Sequence, residues 1–176
     1  MLVSCSTDQP VPSLATPGRI LPLEYVSKDS SLRLRLRVNP KQSHYDLVAP
    51  ATGTHLASAS SAIVSLDFHD HKFCGTADVI FAKDGSGVVI TEDLSDAGPC
   101  LRYILFHRLA NGSFEVRYLE PPTVFNSKCP APAYSYEHPI ATELSTDQVT
   151  FYYPHARQTK VMQLDKVPTT PTLQPL

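Results

Sequence analysis

Leu32-Arg33-Leu34-Arg35-Leu36-Arg37-Val38 alternates apolar and basic residues without interruption. Side chains of a β-strand point to opposite faces with period two. This run therefore reads as a half-buried strand, with leucines against a core and guanidinium groups toward water. A chain committed to such a strand must supply neighbours that pair with it and a second layer that covers its apolar face.

The neighbours follow by counting through the turns. A four-residue turn at Ser27–Ser30 sets Tyr25 opposite Leu32, Leu23 opposite Leu34, Leu21 opposite Leu36 and Glu24 opposite Arg33. A second turn at Asn39–Gln42 sets Leu34 opposite Leu47, Leu36 opposite Tyr45 and Arg35 opposite Asp46. Opposite charges directly across a strand pair are favourable. Two readings of Arg33, Arg35 and Arg37 follow: a stripe for phosphate or an acidic polysaccharide, or a row of solvated cross-strand ion pairs. Glu24 and Asp46 account for two of the three, which leaves Arg37 as the candidate ligand-binding arginine.

At 176 residues and 42% hydrophobic content, the chain fits one domain with a sizeable core. A net charge of −2 argues against a dedicated nucleic-acid binder, and no apolar run approaches the roughly 20 residues that span a bilayer as a helix. Sixteen prolines imply short strands and rigid loops. Beyond the first meander, a short helix is expected at Leu56–Ile63 and a strand at Ile63–His69. Hairpins follow over Thr76–Thr91 and Cys100–Leu119, and closing strands near Val149–Tyr153 and Lys160–Val167. With no long helical crossovers between them, these elements predict an all-β, single-domain antiparallel sandwich or barrel. It has about nine or ten short strands built from consecutive hairpins, with little helix.

Asn111-Gly112 is a strong hairpin signal. The expected register pairs Leu109 with Phe114, His107 with Val116 and Leu105 with Tyr118, with Arg108–Glu115 and Phe106–Arg117 on the other face. His107 then lies among core residues as a neutral imidazole with its hydrogen bond satisfied. The up-and-down path brings Cys74, Cys100 and the approach to Cys129 to one end of the sheet. They are disulfide candidates of undetermined pairing, or else buried thiols.

The segment Asp67-Phe68-His69-Asp70-His71-Lys72-Phe73-Cys74 is the sharpest chemical candidate. On a strand, Asp67, His69 and His71 share a face, and two imidazoles two residues apart can grip one metal ion, with Cys74 completing a zinc-type set. The His-x-His spacing resembles the first cupin motif, but the accompanying glycine and acidic residue are not in place. A polar strand end explains the same residues without any cofactor. Gly85-Ser86-Gly87 lacks the Gly-x-Ser-x-Gly elbow of serine hydrolases and reads as turn chemistry. Tyr134 and Tyr136, in a proline-rich stretch from Pro121 to Pro139, are candidates for stacking on a sugar or gripping a peptide. Phe151, Tyr152 and Tyr153 read as core.

Leu2-Val3-Ser4-Cys5 resembles the lipobox of bacterial lipoprotein precursors, whose cysteine is acylated and becomes the mature N-terminus. The resemblance covers four residues and lacks the basic and apolar leader segments that precede a lipobox. It implies lipidation at Cys5 and a Pro/Ser/Thr-rich tether over residues 1–19. A β-domain over 20–167 and a disordered tail over 168–176 complete the expected organisation. The functional expectation is a non-enzymatic, extracytoplasmic binding or envelope-structural module. It would be membrane-anchored only through a lipid, need no cofactor, and recognise a protein or glycan of the cell envelope. The alternatives are a metal-dependent enzyme using His69 and His71, and a closed barrel carrying a small ligand.

Overall fold

The computed structural model describes residues 23–37, 43–67, 72–74, 76–93, 101–122, 139–154 and 156–166. Among these are thirteen strands and one 3-10 turn at Leu164–Lys166. In chain order the strands are β1 (Glu24–Val26), β2 (Arg33–Arg37), β3 (Ser43–Ala49), β4 (Thr54–Ser61), β5 (Val64–Asp67), β6 (Lys72–Cys74) and β7 (Thr76–Phe81). They continue with β8 (Gly87–Asp93), β9 (Leu101–Arg108), β10 (Phe114–Leu119), β11 (Ile140–Leu144), β12 (Gln148–Tyr153) and β13 (Gln158–Gln163). The sheets run β1-β2-β3-β4, β10-β9-β8-β7 and β11-β12-β13, with β5-β6 as a separate pair. Every recorded pairing is antiparallel. The all-β expectation is met by open sheets rather than a closed barrel.

The first sheet behaves as its alternation demands. Leu32, Leu34 and Leu36 are buried, while the guanidinium groups of Arg33, Arg35 and Arg37 emerge on the other face. Between β2 and β3 the register is the one counted from sequence: Leu34 opposite Leu47, Arg35 opposite Asp46, Leu36 opposite Tyr45. Between β1 and β2 it is displaced by two residues, with Tyr25 opposite Leu34 and Glu24 opposite Arg35. The cause is the loop. The Ser27 amide donates to the Leu32 carbonyl, and the Leu32 amide donates to Ser27 Oγ. Asp29 accepts from Ser27 Oγ, Ser31 Oγ and the Ser31 amide, which closes a wider turn around Ser30 in the left-handed region. An even displacement keeps every side chain on its own face.

The helix expected at Leu56–Ile63 is instead strand β4, paired with β3 from Ser43–Ser61 to Ala49–Thr54. The helix preference of alanine is a weak term beside a full ladder of cross-strand hydrogen bonds. The small inward residues Ala57, Ala59 and Ser61 let the next layer approach.

That next layer is the β7–β10 sheet, and both of its faces are buried. All seven residues of β8 are buried, and consecutive residues of β8 and β9 belong to different cores. Val88, Ile90, Ile104 and Phe106 pack with Leu34, Tyr45 and Leu47 of the first sheet. Val89, Tyr103 and Leu105 pack with Leu144, Val149 and Phe151 of the third. The protein is therefore three β-layers deep, with one sheet shared by two cores. Tyr103 meets Phe151 edge-on at 5.4 Å and donates to the Pro139 carbonyl at 2.5 Å.

The β9–β10 register departs from expectation by one residue: Phe114 faces Arg108, Glu115 faces His107 and Val116 faces Phe106. Leu109 and Ser113 close the hairpin, with Gly112 at φ 85° and the Gly112 amide donating to Leu109 O. This is the three-residue loop that ends in a left-handed glycine. A one-residue slip exchanges faces. Phe114 and Val116 therefore turn to the first core, and His107, Glu115 and Arg117 turn toward the third sheet. Strand β11, absent from the sequence reading, carries a bulge between Ala141 and Glu143 that breaks its alternation.

Candidate functional site

The outer face of the first sheet is a polar grid. Its rows, read across β1 to β4, are Val26, Arg33, Val48 and His55; then Glu24, Arg35, Asp46 and Ser58; then Arg37, His44 and Ser60. Arg35 Nε donates to Glu24 Oε1 at 2.7 Å, and Arg33 Nε lies 3.8 Å from the other oxygen of the same carboxylate. Arg37 pairs with Asp46 diagonally, although Arg35 stands directly opposite it. The Arg37 side chain remains 63% exposed, while that of Asp46 is 6% exposed. Three guanidinium groups thus share two carboxylates.

Asp46 also gathers Ser58 and His55. Ser58 Oγ donates to Asp46 Oδ1, and His55 Nε2 lies 2.7 Å from Ser58 Oγ and 3.5 Å from Asp46 Oδ1. Burial alone would raise the Asp46 carboxyl, but hydrogen bonds from Arg37 and Ser58 and the charge of Arg37 hold it below the usual carboxylate range. These are the residue types of a hydrolytic triad with the wrong connectivity. In a triad the acid orients one imidazole nitrogen while the other takes the serine proton. Here Asp46 meets the same nitrogen that faces the serine and itself accepts the hydrogen bond of the serine hydroxyl, so the imidazole is not placed to take the serine proton and Ser58 is not activated as a nucleophile.

A second polar group lies inside the protein, at the seam between the first and middle sheets. Glu92 on β8 is fully buried. Its Oε1 accepts from Ser61 Oγ at 2.6 Å and its Oε2 from the Ala62 amide at 3.2 Å, with Arg102 Nη1 at 3.7 Å. The Tyr45 hydroxyl sits beside Glu92 and Ser61 without a hydrogen bond of normal geometry, and Ser43 Oγ, across from Ser61, is also buried without a partner. Burial pushes the Glu92 carboxyl up, outweighing Ser61, Ala62, Arg102 and Tyr45, and it pushes the Tyr45 hydroxyl up as well. Glu92 lay within reach of sequence reasoning, because it follows Val88 and Ile90 at period two and so shares their core-facing side.

His107 ties the middle sheet to the third. Its Nδ1 lies 3.2 Å from Glu115 Oε1 and its Nε2 lies 2.8 Å from the Thr146 carbonyl, so both ring nitrogens face acceptors. The doubly protonated ring satisfies both, whereas a neutral imidazole can donate to only one. Arg117 pairs with Glu115 and donates to Leu164 O at 2.6 Å. The ring sits at a layer junction instead of among core residues, where the sequence placed it.

Of the residues singled out from sequence, Arg37 is in the polar grid. Cys74 is at the end of β6, opposite Val64. Of the strand expected over Ile63–His69, the described part is β5, whose Asp67 faces Lys72 of β6. His69, His71, Cys100, Cys129, Tyr134, Tyr136 and Cys5 lie outside the described residues, as do the leader and tail. Among the described residues, no group of three or more His, Cys, Asp or Glu side chains is placed to hold a metal ion. Phe151 and Tyr153 are core, and Tyr152 is 38% exposed. No known protein family, no curated protein and no solved structure matches the chain.

Proposed function

We propose that the protein is a non-catalytic recognition module working outside the cytoplasm, anchored through Cys5, whose outer first-sheet face takes an acidic glycan of the cell envelope. The observation that carries this reading is the excess of guanidinium groups over carboxylates on the outer face of a sheet packed from behind. Glu24 is 46% exposed, and exposed ion pairs contribute only about 0–1 kcal/mol, so an incoming carboxylate or sulfate can replace it at Arg33 and Arg35 at little cost. The misconnected Ser58, His55 and Asp46 favour binding over hydrolysis at the same place.

The test is binding of the purified protein to immobilised acidic and neutral polysaccharides, with acidic peptides as a further arm. The reading expects selective retention on acidic polysaccharides, weakened by salt and lowered at least tenfold in an R33Q/R35Q/R37Q variant that keeps its β-sheet spectrum. Equal retention by that variant, or capture by peptides alone, would reject the glycan. Fractionation of cells producing the full reading frame tests the anchor: a Cys5→Ser variant should leave the membrane fraction.

A further inference from the structure

We propose that Glu92 is a proton-operated clasp between the first and middle sheets, closed when its carboxyl is protonated and loosened at the end of β4 when it is ionised. The argument rests on what surrounds the carboxyl. Its two bonds come from Ser61 and Ala62, the last residue of β4 and the one after it, so Glu92 fastens that strand end to β8. The Ile63 amide donates to Ser61 Oγ, which carries the connection into a fully buried core residue.

The chamber is poorly matched to a charge. Arg102, the cationic group facing Glu92 among the described residues, stands beyond hydrogen-bond distance and leans over the Tyr118 ring at 4.7 Å. Its side chain is 31% exposed, so part of its charge is given to water. Tyr45 on β3 faces the carboxyl, and Tyr25 on β1 bears on Tyr45. Strand β7 presents Ala77 opposite Glu92, and by alternation Asp78 and Asp93 point to the other side of the sheet.

Two hydroxyl groups, of Tyr45 and Ser43, line this end of the seam without a hydrogen bond of normal geometry, Tyr45 beside the Glu92 carboxyl itself. A protonated Glu92 is neutral in this buried seam. An ionised one carries a charge that two hydrogen bonds and a partly exposed Arg102 beyond hydrogen-bond distance do not fully offset, which favours water entering the seam. Because the native value is raised above the ordinary 4.5, the contribution is complete below that pH and is lost as pH rises through the native value.

The experiment compares wild type with Glu92→Gln across pH 4 to 8. The glutamine oxygen can accept from Ala62 and its amide can donate to Ser61 Oγ, so the bonds are kept without the charge. The unfolding constant of wild type should rise relative to the variant by up to about tenfold per pH unit across the Glu92 titration. Amide protection in wild type should fall more at Ser61–Ile63 than at His55, at the other end of β4. Parallel pH profiles for the two proteins, or a uniform change along β4, would overturn the clasp. If the variant does not fold, carbon-13 titration of the wild-type Glu92 carboxyl decides: a value in the ordinary glutamate range rejects the proposal, and a raised value accompanied by the local loss of protection sustains it.

Discussion

Replacing either of two consecutive residues, Leu105 and Phe106, should damage the protein severely, and this tests the three-layer architecture directly. Both are fully buried, Leu105 against Leu144, Val149 and Phe151 and Phe106 against Leu34, Tyr45 and Leu47. In a two-layer sandwich one of two neighbouring strand residues faces solvent, where substitution costs within about 0.5 kcal/mol. With both faces covered, Leu105→Ala should cost about 2–5 kcal/mol and Phe106→Ala about 3–5 kcal/mol. At roughly 2–4 °C per kcal/mol for a chain of this size, each lowers Tm by about 4–20 °C. Urea unfolding followed by far-ultraviolet circular dichroism and tyrosine fluorescence reads this out, since the chain has eight tyrosines and no tryptophan. A cost below about 1 kcal/mol for either variant would refute the double burial. The shared sheet also predicts one cooperative transition in which the two probes coincide.

A β-carbon at Gly87 would fall within 3.0 Å of the Phe106 carbonyl oxygen on the paired strand, so Gly87→Ala should cost roughly 1–3 kcal/mol or prevent folding, measured by urea midpoint. The depressed Asp46 and Glu115 carboxyls contribute stability that is present at neutral pH and lost as pH falls through their native values. Asp46→Asn should therefore flatten the acid limb of a stability–pH curve below its ordinary 3.8, and an unchanged limb would remove Asp46 from that account. Elemental analysis of purified protein should find no stoichiometric metal. A stoichiometric ion lost in a His69→Ala, His71→Ala double variant would replace the recognition reading with a metal-dependent one.

Much of the fold was legible in the residues, and the failures share a cause. The Leu/Arg strand, its register against β3 and both later hairpins could be read because a half-buried strand writes its environment into period two. The middle sheet does not: when both faces are buried, runs such as Val88–Ile90 and Tyr103–Phe106 are continuously apolar, and alternation no longer selects a register. The one-residue slip at β9–β10 and the misplacement of His107 followed. At β11 a bulge interrupts the period, and at β4 alanine and serine carry a weak local preference that the neighbouring strand overrides. The candidate sites divide the same way. Arg37 was visible as the odd member of a basic row, whereas Asp46 as the centre of a four-residue cluster depends on a diagonal contact that strand counting does not give.

The amino-acid order alone dictates an antiparallel β protein and which faces of its first sheet are wet or dry, because side-chain alternation and turn chemistry act between residues close along the chain. The stacking of three layers, the burial of Glu92 between two of them and the engagement of both His107 nitrogens were decided only when strands distant in sequence met. Those contacts depend on how one sheet covers another, a relation carried by no local pattern.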